Sequence, residues 1–540
     1  MRPFLTLHDP AKAKLYYDAG LWHEDTLYGL LQRQAAASPE ALALVDGQGG
    51  LTWSQTLQAV DSLAAAFEQQ GLTAGDRLSL WMGNGKAAVL AFLAASRQGI
   101  ACNPSLHRTY TAAEVRQLLE RLGSRLLITE EGWGAETSEA QRQAALQQSE
   151  GLEAIWDAAS LPLNDRQPTS DPQTNPDSVT YLAFTSGTTG LPKCVMHSAN
   201  SLLANARDLA RDWSLGPDDV LLSLSPLSHH IAWVAVGQWL VAGCRLVTDD
   251  PPPGSERLDW LLANEATYVM GVPTHAMDML AAQKARGLGR LGQVRTFYMA
   301  GAAIPPSVAE AFVVQGIKPQ NIYGMTENSS HQYTHPDDPI ETSLATCGRG
   351  GPAYEVAIAD PEDPERLLGP GEIGEIVGRG AALMLGYYDN QSAIDASFTS
   401  QGWFRSGDLG ALDEAGNLTI HGRLKDLIIR GGHNIHPSHI EALALRHPAV
   451  EKAAAFAVPD ERLGEKVCLA ILGTAEPEPL LTHLAGEGLS RYDMPEYFLR
   501  MEAFPLTPSG KILKRTLSED AKAGRLTPDP IRYHAKESGS

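Results

Sequence analysis

The apolar and polar positions of this chain change their period along its length. A short apolar run at residues 51–53 precedes Ser54, a candidate N-cap, and apolar positions at helical spacing then run to Gly71. Residues 76–82 read as a strand. Thr111 and Glu114 have capping-box spacing and open a helix that stops at Gly123, after which 125–129 read as the next strand. Strand and helix alternating in this way predict β-α-β units and a mainly parallel sheet covered by helices. Residues 131–178 are polar and weakly periodic, and "NDRQPTSDPQTNPDS" reads as a surface connection. "SVTYLAF" is a continuous apolar strand, and apolar strands and helices go on to about residue 400. From "NLTIHGRLKDLIIRGG" the pattern shifts to short strands, with a helix near 438–446 and strands in "EKAAAFAVP" and "KVCLAILG". The expected fold is α/β. A large N-terminal domain, residues 1–424, precedes a small α+β domain, residues 425–540, hinged near 424–426.

Composition narrows the partners. At 540 residues and 43% hydrophobic, the chain can bury well-formed cores, and 50 glycines with 34 prolines call for many turns. A net charge of -21 argues against nucleic acid or an anionic membrane as main partner, since both are polyanions. A nucleotide ligand needs only a few local cations. The five cysteines, at 102, 194, 244, 347 and 468, are dispersed without a CxxC pair, so neither a disulfide framework nor a cysteine zinc site is expected. "MRPFLTLHDP" has no apolar core of a secretory signal, and the longest apolar runs, near 87–95 and 231–243, are too short to span a bilayer. The expected compartment is the cytoplasm.

The stretch "TSGTTGLPKCVMH", Thr185 to His197, follows the apolar strand directly. It is not a Walker A loop. Counting from Gly187, the second glycine would fall on Pro192, and Cys194 after Lys193 cannot supply the metal-binding hydroxyl. A dinucleotide fingerprint fails as well, since Gly187 and Gly190 lack the preceding G-x-G. What remains is a loop of hydroxyls and glycines ending in a mobile positive charge, suited to phosphate. The alternative is an ordinary surface turn.

Further stretches settle that choice. "YGMTE" at 323–327, "GEIGEIVGRGAALMLGYYDN" from Gly371, "GWFRSGDLG" at 402–410, "GRLKDLIIRGGHNIHPSHIE" from Gly422 and "PLTPSGKILKRTL" from Pro505 follow in order. Together with the loop they closely resemble the motifs of adenylate-forming enzymes: acyl- and aryl-CoA synthetases, peptide-synthetase adenylation domains and luciferases. The resemblance spans about residues 25 to 517. It implies a two-step reaction, in which a carboxylate attacks the α-phosphate of ATP to give acyl-adenylate and pyrophosphate, and a thiol then displaces AMP. Carboxylate and triphosphate are both anions, so such a site needs preorganised cations, donors and a metal.

Site residues follow by the same resemblance. Thr185, Ser186, Gly187, Thr188, Thr189, Gly190 and Lys193 match the loop holding the β- and γ-phosphates. Tyr323 and Gly324 stand beside adenine, with the small-residue segment Gly301, Ala302 and Ala303. Thr326 matches the contact to the α-phosphate or acyl carboxylate, and Glu327 the ligand of Mg2+. Asp408 matches the acceptor for the ribose hydroxyls and Arg423 its neighbour at ribose and phosphate. Lys425 stands at the hinge. Gly431 and Gly432 line the pantetheine tunnel, and Lys511 is the adenylation lysine. His433, His436 and His439 suggest a metal set only superficially, because Pro437 interrupts their helical face.

The segment "SPLSHHIAW" places His229 beside the acyl pocket, which by the family's pattern includes His230, Trp233, Val234, Val272, Ala302 and Ala303. These are mostly apolar. A cycloaliphatic, aromatic or medium-chain acid is expected, and "YYDAGLW" with "GMTENSSHQYT" resembles cyclohexanecarboxylate-type CoA ligases. With 29 residues after Lys511 leaving no room for a fused carrier domain, coenzyme A is the expected acceptor, and a free-standing carrier protein is the alternative. Whether the chain forms a homodimer is left open. Cys194, where relatives usually have glycine, is read as a buried strand residue rather than a reactive thiol.

Overall fold

The computed structural model describes residues 3–136, 138–164, 166–185, 192–507 and 511–533. Their strands form four sheets. In the first, Ala154–Asp157, Leu126–Thr129, Arg77–Trp81, Ala101–Asn103 and Val179–Thr185 run parallel, and Lys193–Ser198 closes the edge antiparallel to Val179–Thr185. The second is an eight-stranded sheet. Its parallel centre runs from Lys318–Met325 through Thr296–Ala300, Tyr268–Gly271, Val220–Ser223 and Arg245–Thr248 to Leu42–Asp46, with antiparallel strands Ser329–Tyr333 and Gly49–Thr52 at its two edges.

These strands read as unbroken apolar runs because helices cover both faces. The largest core draws on the helices Trp53–Gln69, Lys86–Gln98, Ala199–Asp212 and His230–Ala242 together with strands from both sheets. His230–Ala242 is apolar on every side, as a helix buried between sheets must be. The antiparallel third sheet, Tyr354–Ala359, Gly374–Gly380, Phe404–Leu412 and Leu418–Arg423, completes the part before residue 424. The fourth sheet begins at Ile428–Arg430 and has hydrophobic clusters of its own, centred on the long hairpin Val450–Asp460 with Gly464–Gly473. A short 3-10 turn, Leu424–Asp426, joins the third and fourth sheets.

Two sequence expectations are corrected. The helix after residue 51 is capped by Thr52, not Ser54: Thr52 and Gln55 form the reciprocal capping box, which places the helix start two residues earlier. Residues 131–178 are not merely a connection. Ser138 caps the helix Glu139–Leu146, and Ala154–Asp157 adds the outer strand of the first sheet. Both elements are short and half exposed, so they leave little periodicity to read. The Thr111–Glu114 box and the stop at Gly123 are as expected.

Candidate active site

Strand ends of the first three sheets and the C-terminal part bring Lys193, His229, Glu327, Asp408, Arg423 and Lys511 within electrostatic reach of one another. Thr185 and Lys193 flank the loop as paired ends of adjacent antiparallel strands. The loop residues Ser186, Gly187, Thr188, Thr189 and Gly190 lie outside the described residues. The Lys193 ammonium sits 4.4 Å from the centroid of the Tyr387 ring. The same tyrosine donates its hydroxyl to Glu327 Oε1 at 2.9 Å. Tyr387 therefore holds the cation and the carboxylate in one cluster. Burial pushes the Glu327 carboxyl up, while the Tyr387 hydroxyl and Lys193 pull it back. Burial also lowers Lys193, Glu327 opposes that fall, and Lys425 adds to it. Two cations thus converge on this corner.

Glu327 stands on a tight turn between Lys318–Met325 and Ser329–Tyr333. Asn328 closes it: its Oδ1 accepts from Met325 N at 3.0 Å and its Nδ2 donates to the Tyr354 hydroxyl at 3.2 Å. Gly324 is obligatory there, since a Cβ would sit 1.7 Å from the Ser329 carbonyl oxygen. His197 secures the same turn. Its Nε2–H donates to the Thr326 carbonyl at 2.7 Å, so its Nδ1 is the acceptor for Ser201 Oγ at 2.9 Å. Burial lowers this imidazole to about 4, which keeps it neutral in that tautomer.

Asp408 lies across the cleft. Tyr323 donates its hydroxyl to Asp408 Oδ2 at 2.9 Å, and Arg423 Nε stands 3.5 Å from Oδ1. Burial raises this carboxyl, against the pull of Arg423, Tyr323 and Lys511. Lys511 is solvent-accessible, yet protein surrounds its ammonium on most sides. That enclosure and Arg423 lower its pKa, while Asp408 and Glu327 oppose the fall. The small C-terminal part is therefore turned with Lys511 into the cleft. Lys425 lies exposed in the 3-10 turn, and Gly431 and Gly432 are exposed in the hairpin between Ile428–Arg430 and His433–Ile435.

Of the residues expected beside the acyl group, His229, His230, Trp233 and Val234 lie at the start of the helix His230–Ala242 and the loop before it. Leu227 N donates to Asn84 Oδ1, which fixes the preceding loop, and His229 packs edge-on to His107 with centroids 4.8 Å apart. Burial, then Lys511, lowers His229 to about 4. Gly301, Ala302 and Ala303 are exposed, and Val272 is half-buried beside Gly301. They present small apolar groups to the open space. Trp233 and Val234 lie deeper, at 3% exposure each, where Trp233 packs on Phe92 and Tyr181 and donates its indole N–H to the Leu227 carbonyl. They stiffen the wall from within the core. His433 pairs with Asp493 at 2.7 Å, and no cluster of three metal-ligating side chains occurs among the described residues. Tyr387, His197 and Ser329 were not expected as site residues. The "GYYDN" motif marks Tyr387 and "YGMTE" marks Glu327, but nothing local pairs the two across 60 residues.

Cys194 is wholly buried, and burial pushes its thiol up to about 12. All five cysteines are free and buried.

Comparison with known proteins agrees with this geometry. Residues 31–388 match the AMP-binding enzyme family and 439–511 the AMP-binding enzyme C-terminal domain. The chain is 30% identical to a medium-chain fatty-acid–CoA ligase of Escherichia coli, over 98% of this chain and 96% of that one. It is 32% identical to a salicylyl-CoA synthase / salicylate adenylyltransferase of a Streptomyces species, over 94% and 96%. Among solved structures, o-succinylbenzoate coenzyme A synthetase from Bacillus subtilis, in complex with ATP and magnesium ion, superposes with a TM-score of 0.80 at 26% identity, covering 90% of this chain and 98% of that one. The chain belongs to the AMP-binding enzyme family and is an AMP-forming acid–thiol ligase.

Proposed function

We propose that the protein joins a hydrophobic carboxylic acid to coenzyme A, through an acyl-adenylate formed from ATP. The observation that carries this reading is the convergence of Lys193, Arg423 and Lys511 on the buried carboxylate Glu327 and the half-buried carboxylate Asp408. Three cations gathered around two carboxylates suit a triphosphate meeting a carboxylate. The division at 424/425 follows the start of a separate sheet and core after the 3-10 turn.

In the first step a carboxylate oxygen attacks the α-phosphorus and the bond to the β-phosphate breaks, releasing pyrophosphate. Lys511 offsets the charge between the two reacting anions. Lys193, with Thr185 and the loop residues Ser186, Gly187, Thr188, Thr189 and Gly190, holds the leaving phosphates. Thr326, fixed by His197, contacts the α-phosphate. Tyr323 and Gly324, with Gly301, Ala302 and Ala303, border adenine. Asp408 and Arg423 orient the ribose. The donor set fits Mg2+: Glu327 is a buried carboxylate with Oε1 taken by Tyr387, and one carboxylate with phosphate oxygens is what this ion accepts. When bound, Mg2+ neutralises phosphate charge. In the second step the thiol attacks the acyl carbon and its bond to AMP breaks, with Gly431 and Gly432 along the thiol's path and Lys425 as the hinge. His229 borders the acyl group, and the wall of His230, Trp233, Val234 and Val272 carries no ammonium, guanidinium or carboxylate for a charged tail. A cycloaliphatic, aromatic or medium-chain acid fits it. Transfer to a carrier protein is the second reading, favoured by the salicyl-S-ArCP synthetase in the name of one relative, from Mycobacterium tuberculosis. The free, buried cysteines accord with a cytoplasmic setting. No helix among the described residues is long and apolar enough to cross a membrane.

Lys511→Ala tests the assignment. Adenylation, read as pyrophosphate release, is expected to fall by about 100-fold or more. Thioester formation from supplied acyl-adenylate should persist. Equal loss of both half-reactions contradicts the role given to Lys511.

A further inference from the structure

Tyr181, His230 and Ser329 form a hydrogen-bonded row on the acyl side of the cleft. His230 Nδ1 lies 3.2 Å from the Tyr181 hydroxyl and Nε2 lies 2.9 Å from Ser329 Oγ. A neutral imidazole has one donor and one acceptor, and here both are engaged. One ring face stacks on His197 at 5.4 Å between centroids and 21° between planes. The nitrogens of His197 are likewise taken, by Ser201 and the Thr326 carbonyl. Ser329 is 2% exposed and has φ of 57°, a left-handed conformation that costs a non-glycine residue free energy. Its surroundings hold it there: Ser329 faces Met325 at a bulge between the two strands, with Gly324 closely packed on its carbonyl. That unfavourable backbone is what carries the hydroxyl to His230.

We propose that Ser329 determines specificity: by occupying Nε2 of His230 it leaves that imidazole without a free hydrogen-bonding edge for the far end of the acid, and so favours an uncharged hydrocarbon tail. This rests on the ligase reading of the same cleft. A hydroxyl on the tail loses its bonds to water and gains none from His230, His197 or the alanines. A second carboxylate loses more. Ser329 acts through His230, so its effect is on the choice among acids rather than on the chemistry.

The test pairs cyclohexanecarboxylate, benzoate and octanoate with 4-hydroxycyclohexanecarboxylate, 4-hydroxybenzoate and 8-hydroxyoctanoate. kcat/KM is read from pyrophosphate release for the parent, Ser329→Gly and Ser329→Ala. Glycine suits φ of 57° and keeps the turn. Alanine removes the same hydroxyl and serves if the glycine variant does not fold. The parent should prefer the unsubstituted member by about 100-fold. Either variant frees Nε2 and should narrow that ratio by about tenfold, the weight of one added hydrogen bond. A parent that takes both members of each pair equally, or variants that leave the ratio unchanged, overturns the inference alone. No pyrophosphate release with any acid overturns the ligase reading and this inference with it.

Discussion

At the scale of single residues, the site is built from buried groups whose charge states are set by their neighbours. Several histidines are held neutral by burial: His107 at about 3, His197 at about 4, His331 at about 3. Their ordinary value is 6.5, so between pH 6.5 and 4 the unfolded chain takes up protons that the folded chain refuses. Stability from these groups is therefore present above pH 6.5 and is lost as the pH falls toward 4. His331 is the simplest to isolate. It stacks on Tyr354 at 4.3 Å and neither ring nitrogen has a hydrogen-bond partner in the protein. His331→Leu is expected to keep or raise the melting temperature at pH 7 and to flatten its fall on acidification; an unchanged acid slope refutes this. His331 and Ser329 could not be read as site neighbours from sequence, because their partners lie on other elements. Lys511 and Asp408 could, because each sits in a local motif.

At the scale of elements, the hairpin of Val179–Thr185 and Lys193–Ser198 carries the loop, and it was legible as strand, loop and strand. Cys194 sits just after the loop, with its amide neighbours locked in the ladder opposite Phe184. A buried thiol at about 12 is a poor nucleophile. Cys194→Gly is expected to leave turnover within about threefold and to cost about 1 kcal/mol of stability, since glycine loosens a strand. Rapid labelling of Cys194 by iodoacetamide in the native protein, or near-total loss of turnover in the variant, contradicts this. The helix Glu139–Leu146 and the strand Ala154–Asp157 escaped notice for a physical reason. An outer strand that is half exposed on both faces shows neither alternation nor a continuous apolar run.

At the scale of the molecule, one cleft has to serve two reactions, and the small C-terminal part supplies Lys511 to it in the present orientation. The exposed turn at Lys425 is the pivot proposed for the change between the two reactions. Lys425→Pro fixes φ near the 3-10 value and so favours the orientation seen here. Single-turnover pyrophosphate release should survive in that variant, while thioester formation drops by about 100-fold; equal rates of the two steps would exclude a pivot at this residue. The two-part architecture was visible in the change of pattern near residue 424, whereas the orientation of the parts depends on contacts that no single segment encodes. The most direct test of the whole account is product analysis by mass spectrometry, with ATP, Mg2+, coenzyme A and cyclohexanecarboxylate, benzoate or octanoate. The account predicts AMP, pyrophosphate and acyl-CoA in equal amounts with at least one of these acids. ADP and orthophosphate as products, or AMP formed with no thioester, would contradict it.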